Sequence, residues 1–317
     1  LTFKIKITPE FGSLVSFLCI FTFFGLFAPK FLAIEPIASV LNMSAEFGIV
    51  VVGVTFLMTG GEFDLSVGSV FALGSFIFVS AISNRVNPLL AFLFVISGGA
   101  MIGLLNGLIT VKTGIPSFLT TLGSMLFWRG VMLGLSGGET IPLIIKSRLI
   151  ESAGGRFAEP FLNSVWIFLV IILIFHLIFE HSRYGNWLRA SGGNKTVGKL
   201  MGLPVNKTKI QAFILCSFLA SFAGFLDACR LSTFNPLLGQ GMELEAITAS
   251  VLGGTSLFGG YGTLIGALFG ILIISTLRVG LVIMGMTVHI YFSLVGIILI
   301  AAILIKHKFY PEVSGWG

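Results

Sequence analysis

Apolar runs of bilayer-crossing length follow one another from residue 12 to residue 305, separated by short polar connections. No polar block between them is large enough for a soluble domain. Charged residues make up 10% of the chain and hydrophobic ones 56%, against about 25% charged in soluble globular proteins. A fused soluble enzyme domain is thereby excluded. So is disorder, which requires low hydrophobicity and high charge. The hydrocarbon core of a bilayer is about 30 Å thick and takes about 20 mainly apolar residues of helix to cross. On that criterion ten helical spans are predicted, at 12–28, 45–60, 67–83, 88–111, 116–135, 163–180, 210–229, 244–258, 262–280 and 288–305. The runs are continuous, whereas barrel strands alternate apolar and polar residues. The predicted fold class is therefore an all-α integral membrane bundle, with 1–317 as a single transmembrane domain. The second and eighth spans are short and end in the pairs Gly60-Gly61 and Gly253-Gly254. The first follows Lys4 and Lys6 in the manner of a signal peptide, but no small-x-small cleavage site comes after it, and it reads as a span.

Lys and Arg in the connections mark the cytoplasmic side. With the N-terminus inside, the inner side holds eleven basic residues: Lys4, Lys6, Lys112, Arg183, Arg189, Lys195, Lys199, Lys207, Lys209, Lys306 and Lys308. The outer side holds six: Lys30, Arg85, Lys146, Arg148, Arg156 and Arg230. Both termini are predicted to be cytoplasmic. The net charge of +6 then follows from topology, and nucleic acid is not implied as a partner.

Two connections are long. Residues 136–162 form a predicted extracytoplasmic loop with room for a short helix at the membrane surface, and residues 181–209 form a cytoplasmic one. In the latter, Asn194 or Thr196 is suited to cap a helix start, Gly202 to take the left-handed position after the helix, and Pro204 to prevent continuation. A short helix is predicted there, comprising Asn194, Lys195, Thr196, Val197, Gly198, Lys199, Leu200 and Met201. Val197, Leu200 and Met201 share one stripe. A helix this short is unstable alone in water, so a soluble partner is expected to dock on it.

Several patterns imitate enzyme chemistry. Gly193 to Leu200 nearly spells a phosphate-binding loop, but Leu200 stands where Ser or Thr would reach Mg²⁺ and no strand precedes it. Gly134 to Gly138 matches the G-x-S-x-G pattern, so an intramembrane serine protease using Ser136, with His176 or His289 as base, is the first alternative function. The pattern is weak among forty glycines. Cys19, Cys216 and Cys229 lack zinc spacing, no paired-histidine metal motif occurs, and no cofactor is expected. Arg129, Asp227 and Arg278 fall inside spans, where charge is costly and functional by default. Each lies within a turn or two of an interface and reads as snorkelling there, with Asp227 and Arg230 also spaced to pair. They are too few and too peripheral for a proton relay, which weighs against the second alternative, an ion-driven transporter. Gly103 and Gly107, and Gly262, Gly266 and Gly270, stand at the four-residue spacing that lets helix backbones approach in lipid.

Four runs, in order and in register, carry a family resemblance. They are Thr59 to Ser69 (TGGEFDLSVGS), Ile115 to Gly123 (IPSFLTTLG), Ala190 to Asn194 (ASGGN) with the short helix after it, and Leu252 to Thr263 (LGGTSLFGGYGT). Together they resemble the permease subunits of bacterial sugar ABC importers, the ribose, xylose and galactose group of the branched-chain amino acid and sugar permease superfamily. The resemblance covers roughly 45–305. It implies a ten-span permease fold like the vitamin B12 importer, and a bacterial inner-membrane dimer of this chain with a second copy or a paralogue. It also implies cytoplasmic ATPase subunits, an extracytoplasmic sugar-binding protein and no catalysis by the permease itself. By position, Asn194 to Met201 become the coupling helix. Glu62, Asp64, Ser66, Asn106, Thr121, Gly253 and Gly254 become candidates for the pathway and its gate. Glu62-Phe63 departs from the family spelling, which has one residue there, and adds a carboxylate near Asp64. Asp64 and Ser66 are equally suited to cap the third span, where a carboxylate meets free N–H groups and the helix dipole.

Overall fold

A computed structural model describes residues 9–145 and 147–309; Lys4, Lys6 and Lys146, which enter the charge count, lie outside them. In chain order the helices are α1 (Pro9–Phe27), α2 (Ile34–Thr59), α3 (Val67–Ser83), α4 (Pro88–Thr113), α5 (Ser117–Ser136), α6 (Arg148–Gly154), α7 (Asn163–His181), α8 (Arg183–Gly193), α9 (Lys195–Leu200), α10 (Val205–Leu231), α11 (Met242–Leu252), α12 (Leu264–Ile283) and α13 (Val288–Phe309). Each apolar run contains a helix. Among the described residues seven, α1, α2, α4, α5, α7, α10 and α12, are long and apolar enough to cross a membrane, and α3 and residues 290–304 are shorter apolar helices.

Two of the predicted spans change. The second begins eleven residues earlier than expected, and α2 is 26 residues long, about 39 Å at 1.5 Å per residue. Its polar first half, with Glu35, Asn42 and Glu46, resembles a connection in sequence, yet Pro36 sits in the first turn, where its missing N–H costs nothing. The eighth ends at Leu252 after 11 residues, about 16 Å, half of what a crossing needs. Residues 253–263 then run without helix, and their amides find partners nearby: Thr255 N donates to Ser250 O (3.0 Å), Ser256 N to Tyr261 O (2.9 Å) and Gly260 N to Thr59 O (2.9 Å). Irregular backbone among membrane helices requires such pairing.

Burial separates hub from rim. Of the apolar windows, 83% of α2 and 78% of α10 are buried, against 11% of α1 and of α5. Small residues let the hub close up. A methyl group on Gly103 would strike the Phe213 backbone of α10, and one on Gly266 or Gly270 would strike the carbonyls of Gly253 and Ala249. The four-residue glycine spacing thus serves helix crossing.

The long connections are folded. In 136–162, β1 (Ile141–Pro142) pairs antiparallel with β4 (Thr233–Phe234), β2 (Arg156–Ala158) with β3 (Phe161–Leu162), and α6 lies between, capped by Ser147 through Ile150 N (3.3 Å). In 181–209, α8 precedes the expected short helix. Its eleven residues carry too few apolar side chains for a span, and Ser182 caps it by accepting from Gly185 N (3.3 Å). Arg189 ties it to α7 through Glu180 (2.6 Å) and the Phe179 ring (4.5 Å).

Candidate functional site

The turn between α2 and α3 gathers four of the predicted pathway residues. Asp64 Oδ1 accepts from the backbone N–H of Ser66 (2.7 Å) and from its hydroxyl (2.5 Å), while Oδ2 accepts from the Ser217 hydroxyl of α10 (3.2 Å). Asn106 of α4 donates to Ser66 Oγ (3.0 Å). Thr121 of α5 accepts from Leu65 N (3.0 Å), and Ser117, one helical turn earlier, accepts from Phe63 N (3.0 Å). Hydroxyls on neighbouring helices therefore satisfy backbone donors that the turn leaves free. Asp64 is 1% exposed and Ser66 fully buried. Ser217 lies twelve residues into α10, about 18 Å along that helix, so the carboxylate is deep among the helices. The capping reading of Asp64 does not hold in simple form. Ser66 occupies the position before α3 but makes no capping bond to it; Asp64 folds the turn over the Ser66 N–H and links it to α4 and α10. A cavity of 520 Å³ between α4 and α5 is lined by Asn106, Thr120, Ser124 and Trp128 among others, bringing Asn106 to an open groove.

Glu62 does not add its charge to this cluster. Its carboxylate receives Lys209 Nζ at 2.5 Å, with side-chain exposures of 13% and 6%, so the residue that departs from the family spelling is neutralised at the start of α10. Lys209, counted from the sequence among the cytoplasmic charges, is buried.

Next to this turn three glycine pairs meet backbone to backbone. Gly61 touches Gly192 at the end of α8, and Gly259 and Gly260 of the 253–263 segment lie against Gly61, Gly192 and Gly193. A methyl group on Gly192 would collide with Thr59 O and come within 2.6 Å of Gly260 N. Only glycine permits that approach. Gly253 meets a different neighbour: it ends α11, and a methyl group there would lie 2.6 Å from the Ala267 backbone of α12. Tyr261 fastens the segment to α1 by donating to Glu10 (3.1 Å), and burial, followed by the Glu10 charge, raises its phenol above the ordinary range.

The junction leads directly into α9. Asn194 Oδ1 accepts from Thr196 N (3.1 Å) and Val197 N (3.0 Å), and Gly202 closes the helix at φ +75°. Thr196 is therefore a helix residue and Asn194 the cap. Gly198 is buried, whereas Leu200 and Met201 are 83% and 75% exposed and Val197 is also exposed. Capped at both ends and anchored through Gly198, the helix presents an apolar stripe that none of the described residues covers.

The other candidates fall elsewhere. Ser136 is partly buried at the end of α5; its hydroxyl donates to Leu133 O (3.4 Å) and accepts from Gly138 N (3.2 Å), so both bonds stay within its own turn. The side chain of His289 lies outside the described residues. Arg129 and Arg278, expected to snorkel, have internal partners, and Asp227 makes the pairing its spacing suggested. Arg129 donates to the carbonyls of Pro236 (3.1 Å) and Leu238 (2.8 Å), Asp227 pairs with Arg230 (2.5 Å), and Arg278 pairs with Glu245 (3.1 Å). Arg230 also pairs with Glu46 of α2 (2.7 Å). Among the described residues, no three His, Cys, Asp or Glu side chains are grouped to hold a metal. Sequence reasoning passed over Ser117, Lys209, Ser217 and Glu46. Their shared signal is a polar residue facing inward from a helix that is otherwise apolar.

Residues 37–304 match the family model described as "Branched-chain amino acid transport system / permease component". The ribose import permease protein of Escherichia coli is 34% identical over 307 residues, covering 94% of this chain and 94% of that protein. The ribose import permease protein of Bacillus subtilis is 32% identical over 88% of this chain and 87% of its own length. The L-arabinose ABC transporter permease protein of Azospirillum brasilense is 31% identical over 92% and 86%. No solved structure matches the chain. With a membrane-type helical bundle, a family match over most of its length and relatives of this identity and coverage, the chain belongs to the permease-component family of branched-chain amino acid transport systems.

Proposed function

We propose that this chain is the membrane-spanning subunit of an ATP-driven importer that translocates a small pentose- or hexose-like sugar. ATP hydrolysis resides in separate ATPase subunits, and an extracytoplasmic binding protein delivers the sugar. The relatives named for ribose and arabinose import support the substrate class. The single observation that carries the coupling is α9, with Leu200 and Met201 exposed on a helix rigidly capped at Asn194 and Gly202. Lys195, Thr196, Val197 and Lys199 complete the surface offered to the ATPase, and Gly198 seats it. An apolar stripe on a rigid element is the form in which helices dock into grooves.

In this reading α9 and residues 181–209 lie on the cytoplasmic side with both termini, 136–162 lie outside, and the chain resides in the bacterial inner membrane. A second copy or a paralogue covers the exposed face of α5, where the groove reaches Asn106. ATP binding to the partner moves α9, and the glycine junction passes that movement to the Asp64 turn. There Asp64, Ser66, Asn106 and Thr121 form the inner gate, Glu62 and Lys209 hold its base, and Gly253 and Gly254 let α11 move against α12. Such a ligand shifts the gate only by its differential affinity for the two states.

The test is co-purification with the ATPase subunit encoded beside this chain. Wild-type protein is expected to retain it, and Leu200→Asp, which places a charge in the stripe, is expected to lose it while staying folded. Wild-type protein that never retains the ATPase would remove the basis for this reading.

A further inference from the structure

A second polar site lies away from the Asp64 turn and is assigned no role by the coupling just described. A cavity of 820 Å³ opens between the first half of α2, the last turns of α10 and α12, and the 232–241 segment. Small-molecule sites are typically about 300–1,000 Å³. Its floor is charged and buried. Glu46, Asp227 and Glu245 are 6%, 4% and 4% exposed, and they face Arg230 and Arg278. With Arg156, which also lines the cavity, three carboxylates meet three guanidinium groups. The Oδ2 atom of Asp227 is buried and receives no N–H or hydroxyl hydrogen bond among the described residues, with the Glu46 carboxyl as its polar neighbour. An unfilled acceptor at this depth is expensive and calls for a donor. Phe47 and Phe71 give the lining aromatic surface, and the exposed Gln240 is also part of the lining.

These features together fit one chemical class. A cyclic monosaccharide carries hydroxyl donors for Asp227 Oδ2, hydroxyl and ring oxygens that accept from guanidinium and amide N–H groups, and a C–H face for the aromatic surface. A metal ion fits less well, since no three ligating side chains are grouped here among the described residues. We propose that this cavity, built within a single permease chain, is a low-affinity station for the monosaccharide, with Asp227 as its main acceptor and Gln240 as an exposed contact. The inference rests on the sugar-importer reading above.

Saturation-transfer NMR on the purified full chain in lipid nanodiscs tests it, with D-ribose, L-arabinose and D-galactose as probes. Wild-type protein is expected to give a saturable signal for at least one of them, with Kd on the order of millimolar. Asp227→Asn replaces the free acceptor with a donor and is expected to weaken binding about tenfold or more. Gln240→Ala, at an exposed position and so free of folding consequences, is expected to weaken it about threefold at an unchanged melting temperature. A purely structural role for the charge network would leave the Gln240→Ala titration at the wild-type value, and that result overturns the proposal even if Asp227→Asn does not fold. Uptake of the same sugars by cells separates the two claims. Uptake without any saturable signal overturns the station and leaves the importer standing, whereas absence of both overturns both.

Discussion

Removing one partner of the Glu62–Lys209 pair is expected to cost far more stability than removing both. The two groups meet at 2.5 Å with 13% and 6% of their side chains exposed. At that distance the Coulomb attraction is about 7 kcal/mol for an effective dielectric of about 20. Desolvation of two ions offsets most of it, so an apolar pair of similar volume is close to neutral. Lys209→Met alone leaves the Glu62 carboxylate buried without its counter-ion. Loss of one partner of a buried pair costs about 3–5 kcal/mol, and the residual exposure of Glu62 places this case near about 3 kcal/mol. Glu62→Gln with Lys209→Met is expected to recover at least about 2 kcal/mol of that loss, giving a coupling energy well above the ~0.5 kcal/mol of independent sites. The assay is reversible unfolding in mixed micelles, followed by far-ultraviolet circular dichroism for wild type, both single variants and the double variant. Additive effects within about 0.5 kcal/mol would refute the pairing and the claim that Glu62 is neutralised away from Asp64.

Other consequences follow from the same geometry. Asp64→Asn keeps an oxygen for Ser66 and gains an amide that donates to Ser217, so folded yield is expected to stay near wild type while sugar uptake falls; loss of folded protein would instead make Asp64 a purely structural residue. Gly192→Ala forces a methyl group onto Thr59 O and Gly260 N, and a melting temperature lowered by several degrees is expected, since overpacking costs about 1–3 kcal/mol; an unchanged value would show that the junction yields. Asn194→Ala removes the cap of α9, worth about 1 kcal/mol, and is expected to weaken ATPase retention in pull-downs without changing the melting temperature of the bundle.

The helices were legible because each carries a continuous apolar run, and the cap and stop residues of α9 are local signals that needed no tertiary knowledge. What escaped was set by contacts between distant segments. The first half of α2 contains Glu35, Asn42 and Glu46, and nothing local reveals that Glu46 meets Arg230, 184 positions away. Arg230 accordingly read as an outer-loop charge. The eighth run looked like a span because its apolar character continues past Leu252, while the helix stops where Gly253 must pass against Ala267. Of the site, Asp64, Ser66 and Thr121 stood in the family motifs and Asn106 was a candidate outside them, whereas Ser117 and Ser217 were missed because a hydroxyl in an apolar helix carries no sign of the amide or carboxylate it serves. The glycine pairs were visible individually; that three of them form one junction is a property of the fold.

The central claim is that ATP hydrolysis by a partner docked on α9 drives sugar import through this chain. Uptake of radiolabelled D-ribose and L-arabinose, measured in cells carrying wild type or Leu200→Asp, tests it most directly when a protonophore is added while cellular ATP is held constant. The expected result is wild-type uptake that survives the protonophore, falls when ATP is depleted, and is lost in Leu200→Asp at equal membrane abundance. Uptake that collapses with the protonophore at constant ATP, or that persists in Leu200→Asp, would contradict it.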